Sequence, residues 1–110
     1  MAQDDMNVVM YRILAYLYRC MRDGERPVDG LYSAETLGIP SGYWNDIMAE
    51  LIERGYIKGA TAVTAWGGDT IIKLARPVVT LDGVDFMQSN SAMQRAADFL
   101  RDAKSAIPFL

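Results

Sequence analysis

The stretch "IMAELIERGYIKGA", Ile47 to Ala60, forces the backbone to change state in mid-chain. Its first half places Ile47, Met48, Leu51 and Ile52 at the three- and four-residue steps of one helix face. Its second half, Tyr56 and Ile57 followed by small residues, favours an extended strand. Gly55 stands between them, and glycine takes the left-handed conformation that ends a helix at little cost. A helix that turns directly into a strand fits few architectures, and the flanking segments narrow them further.

Upstream, from about Asp5 to Arg22, residues Met6, Met10, Ile13, Leu14, Leu17 and Met21 form one stripe of an amphipathic helix. "DGERPVDG" then predicts a loop. Ser33 is placed to cap a short helix, "AETL"; Gly38 stops it and Pro40 blocks its continuation. Ser41 is placed to cap a third helix, whose buried face adds Trp44 to the four residues above. The turn at Gly38-Ile39-Pro40 fits a helix-turn-helix. Downstream, Gly67-Gly68-Asp69 predicts a hairpin turn, with Thr70 to Ala75 as the returning strand and Pro77 closing it.

Thr80 is placed to cap the helix "LDGVDFMQS", and Asn90 to end it. Ser91 with Gln94 spells a capping box for a last helix to about Lys104, with Met93, Ala96, Ala97, Leu100 and Ala103 on its apolar side. "AIPFL" is an apolar tail. This order predicts an α+β, mostly α, fold: a winged helix of three helices plus a β-hairpin wing, with two C-terminal helices. The expected organisation is a single winged-helix domain over 1–110, with a core at about 5–90 and the C-terminal helix and tail at 91–110.

Composition removes several functions. A 51% hydrophobic fraction excludes a disordered chain. No apolar run approaches the length of a membrane span. One cysteine and an acidic N-terminus without a signal-peptide pattern point to a cytoplasmic, reducing setting. The chain has no histidine, so the commonest general base is missing, and no phosphate loop, nucleophile elbow or metal-ligand spacing appears. The expectation is a non-enzyme with no catalytic residues, no cofactor and no metal. Cys20 has no activating neighbour in the pattern and reads as a structural thiol; Trp44 and the methionines read as core filling.

Three segments, "YRILAYLYRCM", "LGIPSGYWNDIMAELIERGYIKG" and "VTLDGVDFMQSNSAMQRA", resemble the YjcQ family from about Tyr11 to Ala97. Thr80, Gly83, Phe86, Met87, Asn90 and Ser91 carry the most specific part of the likeness. The resemblance implies a small winged-helix fold and a phage or prophage context. It brings no catalytic motif and no site residues.

Two candidate faces remain. On the third helix the buried stripe leaves Tyr43, Asn45, Asp46, Ala49, Glu50 and Glu53 outward, with the three carboxylates aligned. In a DNA groove they would cost on the order of 2 kcal/mol, against about 4–10 kcal/mol gained at a specific site. This face suits a basic or polar protein surface better than DNA. The candidate nucleic-acid face gathers Arg12 and Arg19 on the first helix, Arg54, and Lys58, Lys73 and Arg76 on or beside the wing with Trp66. Arg22 and Arg26 extend the first-helix stripe.

Each feature has a plainer alternative. The arginines solvate a helix face or pair with Asp5, Asp23 or the third helix, and Trp66 folds back on the body. A net charge of −3 argues against retention on nucleic acid by charge alone. The expected function is a binding module acting through protein–protein contacts at the acidic third helix, its partner unidentified; the alternative is a DNA-binding regulator using the wing and first-helix arginines. The last helix either forms a two-fold homodimer or packs on the first helix of its own chain.

Overall fold

The computed structural model describes residues 2–102. Helix α1 (Met6–Asp23) is followed by a tight turn at Asp29–Leu31, then by α2 (Ala34–Leu37) and α3 (Ser41–Glu53). Strands β1 (Ile57–Thr64) and β2 (Thr70–Val79) pair as an antiparallel hairpin, and α4 (Leu81–Ser89) and α5 (Ser91–Asp102) complete the described chain. The fold is α+β and mostly helical. Residues beyond Asp102, including Ala103, Lys104 and the apolar tail, lie outside the described residues.

Helix α1 is the centre of the core. Val9, Ile13, Leu14 and Leu17 share one buried cluster with Tyr32, Leu37 and Ile39, with Ile47, Met48 and Leu51 of α3, and with Ile57 and Val79 at the root of the hairpin. Val8 packs on its other side with Ala96 and Leu100 of α5, and Met93 carries α5 into the main cluster. The expected single stripe is therefore too narrow. Met6 and Met21, placed on it by spacing, are 37% and 41% exposed, while Val8, Arg12, Tyr16 and Cys20 are buried. The described part of α5 lays its apolar side on α1 of its own chain, as the second of the two readings had it.

Local signals set the element ends. Ser33 accepts the Thr36 N–H, and Gly38, at φ 71°, ends α2. At the end of α3, Gly55 (φ 75°) donates to the Ile52 carbonyl and Tyr56 to the Leu51 carbonyl, which is the paired bonding of a Schellman motif. Three expectations change. Ser41 is already helical; Pro40 holds the cap position of α3 and makes no side-chain cap bond. Asn90 does not end α4 in the left-handed region: it is extended, and its side-chain oxygen accepts the Ala92 and Met93 N–H groups at 2.9 and 3.2 Å, so it caps α5. Ser91 is then inside the helix, and the Gln94 amide reaches back to the Met87 and Gln88 carbonyls.

Pro77 does not close β2, which continues to Val79. The register jumps from Lys58↔Val78 to Ala60↔Leu74, so Gly59 alone faces Ala75, Arg76 and Pro77. A proline is tolerated in a strand at such a bulge, because no ladder bond there needs its missing N–H. Thr80 locks the root of the hairpin. Its N–H donates to the Tyr56 carbonyl, its hydroxyl donates to the Gly55 carbonyl, and the same oxygen accepts the Gly83 N–H.

Tyr32 is fully buried, and its hydroxyl has no partner at full hydrogen-bond geometry among the described residues; the Asp29 carboxylate is close enough to affect its titration. Burial first, and Asp29 second, hold its pKa above the ordinary 10.0. A raised acid pKa in the folded state means that stability is complete below about pH 10 and falls as pH rises from there. Tyr32→Phe is expected to match or exceed the parent by up to about 1 kcal/mol at pH 8, and to fall less steeply above pH 10. Urea midpoints from pH 8 to 12 measure this; Tyr16 and Tyr43, also raised, keep part of the fall.

Candidate binding surfaces

Alternation along the hairpin separates two sides. Ala60, Ala62, Ile72 and Leu74 are half-buried. The opposite side exposes Lys58, Thr61, Val63, Ile71 and Lys73, with Thr61 opposite Lys73 and Val63 opposite Ile71; Arg76, in the bulge, is exposed beside the loop at 26–30. Trp66 follows at the turn with a relative exposure of 103%, so it does not fold back on the body. Its replacement by alanine is expected to change stability by less than about 0.5 kcal/mol and to remove most of the acrylamide-quenchable fluorescence. The other indole, Trp44, is half-buried and donates from Nε1 to the Tyr32 carbonyl at 2.7 Å.

The first turns of α3 stand against the hairpin turn. Asn45 Nδ2 donates to the Thr70 carbonyl at 3.0 Å, pinning the distal part of the hairpin to the helix. A cleft of about 570 Å³ opens there, lined by Ser41, Asn45, Asp46, Asp69, Thr70 and Ile71 among others. Two carboxylates therefore line one opening, from segments that no sequence pattern joins.

The outward residues of α3 are less uniform than their spacing implies. The Tyr43 hydroxyl donates to the Asp4 carbonyl at 2.8 Å, and Asn45 is spent on the hairpin. Burial, then the charges of Asp5 and Asp4, push the Tyr43 pKa up. Glu50 is half-buried and paired with Arg54 at 2.7 Å, a contact that raises the arginine pKa. Asp46 and Glu53 are exposed, and their carboxylates have neither a hydrogen bond nor an ion pair among the described residues. The accessible acid is thus Asp46 and Glu53 on α3, joined by Asp69 of the turn.

The seven residues of the nucleic-acid face do not converge. Arg12 is a correction: it is only 7% exposed, its Nε has no hydrogen-bond partner among the described residues, and desolvation lowers its pKa. It sits between Val8 and Tyr16 at four-residue spacing, a second stripe that the first one masked. Arg12→Met is expected to raise stability by about 1 kcal/mol in urea unfolding, because a long apolar chain replaces a buried, incompletely bonded one. Arg19 lies 3.8 Å from Asp23, and Arg54 is tied to Glu50. Lys58, Lys73, Arg76 and Trp66 are all exposed, but they are strung along the hairpin: Lys58 opposite Val78 at the root, Arg76 in the bulge beside the loop at 26–30, Lys73 mid-strand and Trp66 at the far turn.

Among the described residues no group of three or more Cys, Asp or Glu is placed to hold a metal ion, and no described helix is long and apolar enough to cross a membrane. Cys20 is buried. The family model described as YjcQ protein matches residues 11–106. The chain belongs to the YjcQ family. No curated protein and no solved structure matches it. In this YjcQ-family chain the residues that carry the likeness hold the fold. Thr80 caps α4, Gly83 is buried against the hairpin root, Phe86 stacks on Tyr56 with ring centroids 4.4 Å apart, Met87 is buried, and Asn90 caps α5. These residues set the packing around α4.

Proposed function

We propose that this YjcQ-family chain is a non-enzymatic binding module of the winged-helix type, in which α3 and the hairpin turn together receive a basic segment of a protein partner. The winged-helix reading rests on the order of three helices and then a hairpin. The observation that carries the function is the cleft with Asp46 and Asp69 on its walls, next to an indole wholly in solvent. Tryptophan is a frequent anchor of protein interfaces, and carboxylates at the rim steer lysine and arginine. If α3 entered a major groove, the same carboxylates would approach phosphates. A buried free thiol and the absence of histidine suit a cytoplasmic protein without catalytic machinery, in the phage or prophage context the resemblance implies.

A second reading, a DNA-binding regulator, is favoured by one observation: the hairpin carries three exposed cations, Lys58, Lys73 and Arg76, along its length and an exposed indole, Trp66, at its turn. The two are separated by capture from host lysate with the parent, Trp66→Ala, an Asp46→Lys/Asp69→Lys pair, and Lys73→Glu as control. The pair and Trp66→Ala are expected to lose the captured partner with urea midpoints preserved, while Lys73→Glu keeps it. Unchanged capture by the charge-reversed pair excludes the cleft. Duplex binding near 50 mM salt that weakens with a slope of about −0.9 per contacted phosphate supports the regulator instead.

A further inference from the structure

We propose that the groove between α1, α4 and α5 binds a nucleotide phosphate, carried either by a free mononucleotide or by a single nucleic-acid strand. The groove encloses about 610 Å³, within the range of about 300–1,000 Å³ usual for small-molecule sites. It shares no residue with the cleft of α3 and the hairpin. Its cations come from two helices far apart in sequence: Arg19 and Arg22 on α1, and Arg101 on α5. The docking of Ala96 and Leu100 against Val8 brings them to one opening.

The carboxylates nearby are Asp23 in the groove and Asp98 beside it. Asp23 lies 3.8 Å from Arg19, and Asp98 lies 2.9 Å from Arg101, with both pairs more than half exposed. Exposed pairs of this kind are weak, and a phosphate dianion offers an arginine fork more charge and more acceptor oxygens. Arg22 has no carboxylate partner among the described residues; its guanidinium lies 5.8 Å from the Tyr18 ring centroid. Arg19, Arg22 and Arg101 thus share one opening on a chain whose overall charge is negative.

The remaining lining distinguishes a nucleotide from a bare anion. Tyr11 and Tyr18 line the groove half-buried, and an aromatic face stacks on any base. Arg22 lies over the Tyr18 ring, so a base in the groove would meet a guanidinium and an aromatic ring together. The Gln94 amide nitrogen is spent on the Met87 and Gln88 carbonyls, so its oxygen is the part left to accept from a base amino group.

The test is fluorescence anisotropy of the full chain at about 50 mM salt, where phosphate contacts are least screened. The probes are a fluorescent ATP analogue and a labelled oligodeoxyadenylate, which present the same base and its amino group. Saturable binding of either is expected, weakened by about tenfold or more in Arg22→Ala/Arg101→Ala. Both arginines are exposed, so the urea midpoint should not move. Tighter binding of the oligonucleotide identifies a strand as the source, and tighter binding of the ATP analogue a mononucleotide. Asp46→Lys/Asp69→Lys should leave this binding intact, which keeps it distinct from the cleft. The proposal is overturned if neither probe saturates, if the double arginine variant binds as the parent does, or if inorganic pyrophosphate competes as well as ATP.

Discussion

Gly59→Ala is expected to cost about 3–5 kcal/mol, a large share of the stability of a small domain. Two effects combine. Gly59 has φ 78°, where an alanine is strained by about 1–2 kcal/mol. Its added Cβ would also fall 1.9 Å from the Arg76 carbonyl oxygen and 2.6 Å from the carbonyl carbon. Those atoms belong to the backbone of the β2 bulge and cannot rotate away as a side chain would. Relief requires the strands to separate where Lys58↔Val78 gives way to Ala60↔Leu74. Gly67→Ala is the control: its φ is 95°, but nothing lies within 4 Å of the new methyl, so it should show the strain alone. Urea unfolding followed by circular dichroism compares them. Equal losses at the two sites would mean that Gly59 is not in close contact with β2.

Gly83→Ala carries the second large effect, about 2–4 kcal/mol of destabilisation. Propensity alone predicts the opposite, since alanine in a helix is favoured over glycine by about 1 kcal/mol. Here a Cβ would stand 2.3 Å from the Tyr56 carbonyl oxygen and 2.7 Å from Val79 Cγ1. Helix α4 would have to retreat from the hairpin root. That retreat pulls on the Thr80 bonds to Gly55 and Tyr56 and on the Tyr56–Phe86 stack. A lower urea midpoint together with reduced near-ultraviolet dichroism is the expected signature. A variant more stable than the parent would show that α4 does not approach the Tyr56 carbonyl so closely. Gly83 is also one of the residues on which the family likeness rests, and this contact gives it a physical reason.

Much of the architecture was legible because the relevant signals are local. As caps, Ser33, Gly38, Gly55 and Thr80 act on atoms within a few residues of themselves, and each ends or begins an element as its type predicts. Misplacements arose where a distant segment decided the outcome. Pro77 reads as a stop from one strand alone; the bulge opposite Gly59 removes the conflict. Arg12 reads as surface when one apolar stripe is drawn on α1, and becomes interior because α1 is covered on two sides. Asn90 and Ser91 both suit a cap, and the choice between them depends on where α4 ends.

The binding surfaces were legible only in part. The spacing of Asp46, Glu50 and Glu53 is a property of one helix, and it stands; the tie of Glu50 to Arg54 is also local and was open to reading at four-residue spacing. The meeting of Asp46 with Asp69, and of Arg22 with Arg101, depends on how the hairpin and α5 come to rest. No window of sequence contains either pair.

The hairpin is clamped at its root by Thr80 and tethered further out by the bond from Asn45 to Thr70. Its inner side, Ala60, Ile72 and Leu74, also rests on the core. A partner seated on Trp66 would therefore press on a lever already braced by α3, with Asn45 as the outermost strut.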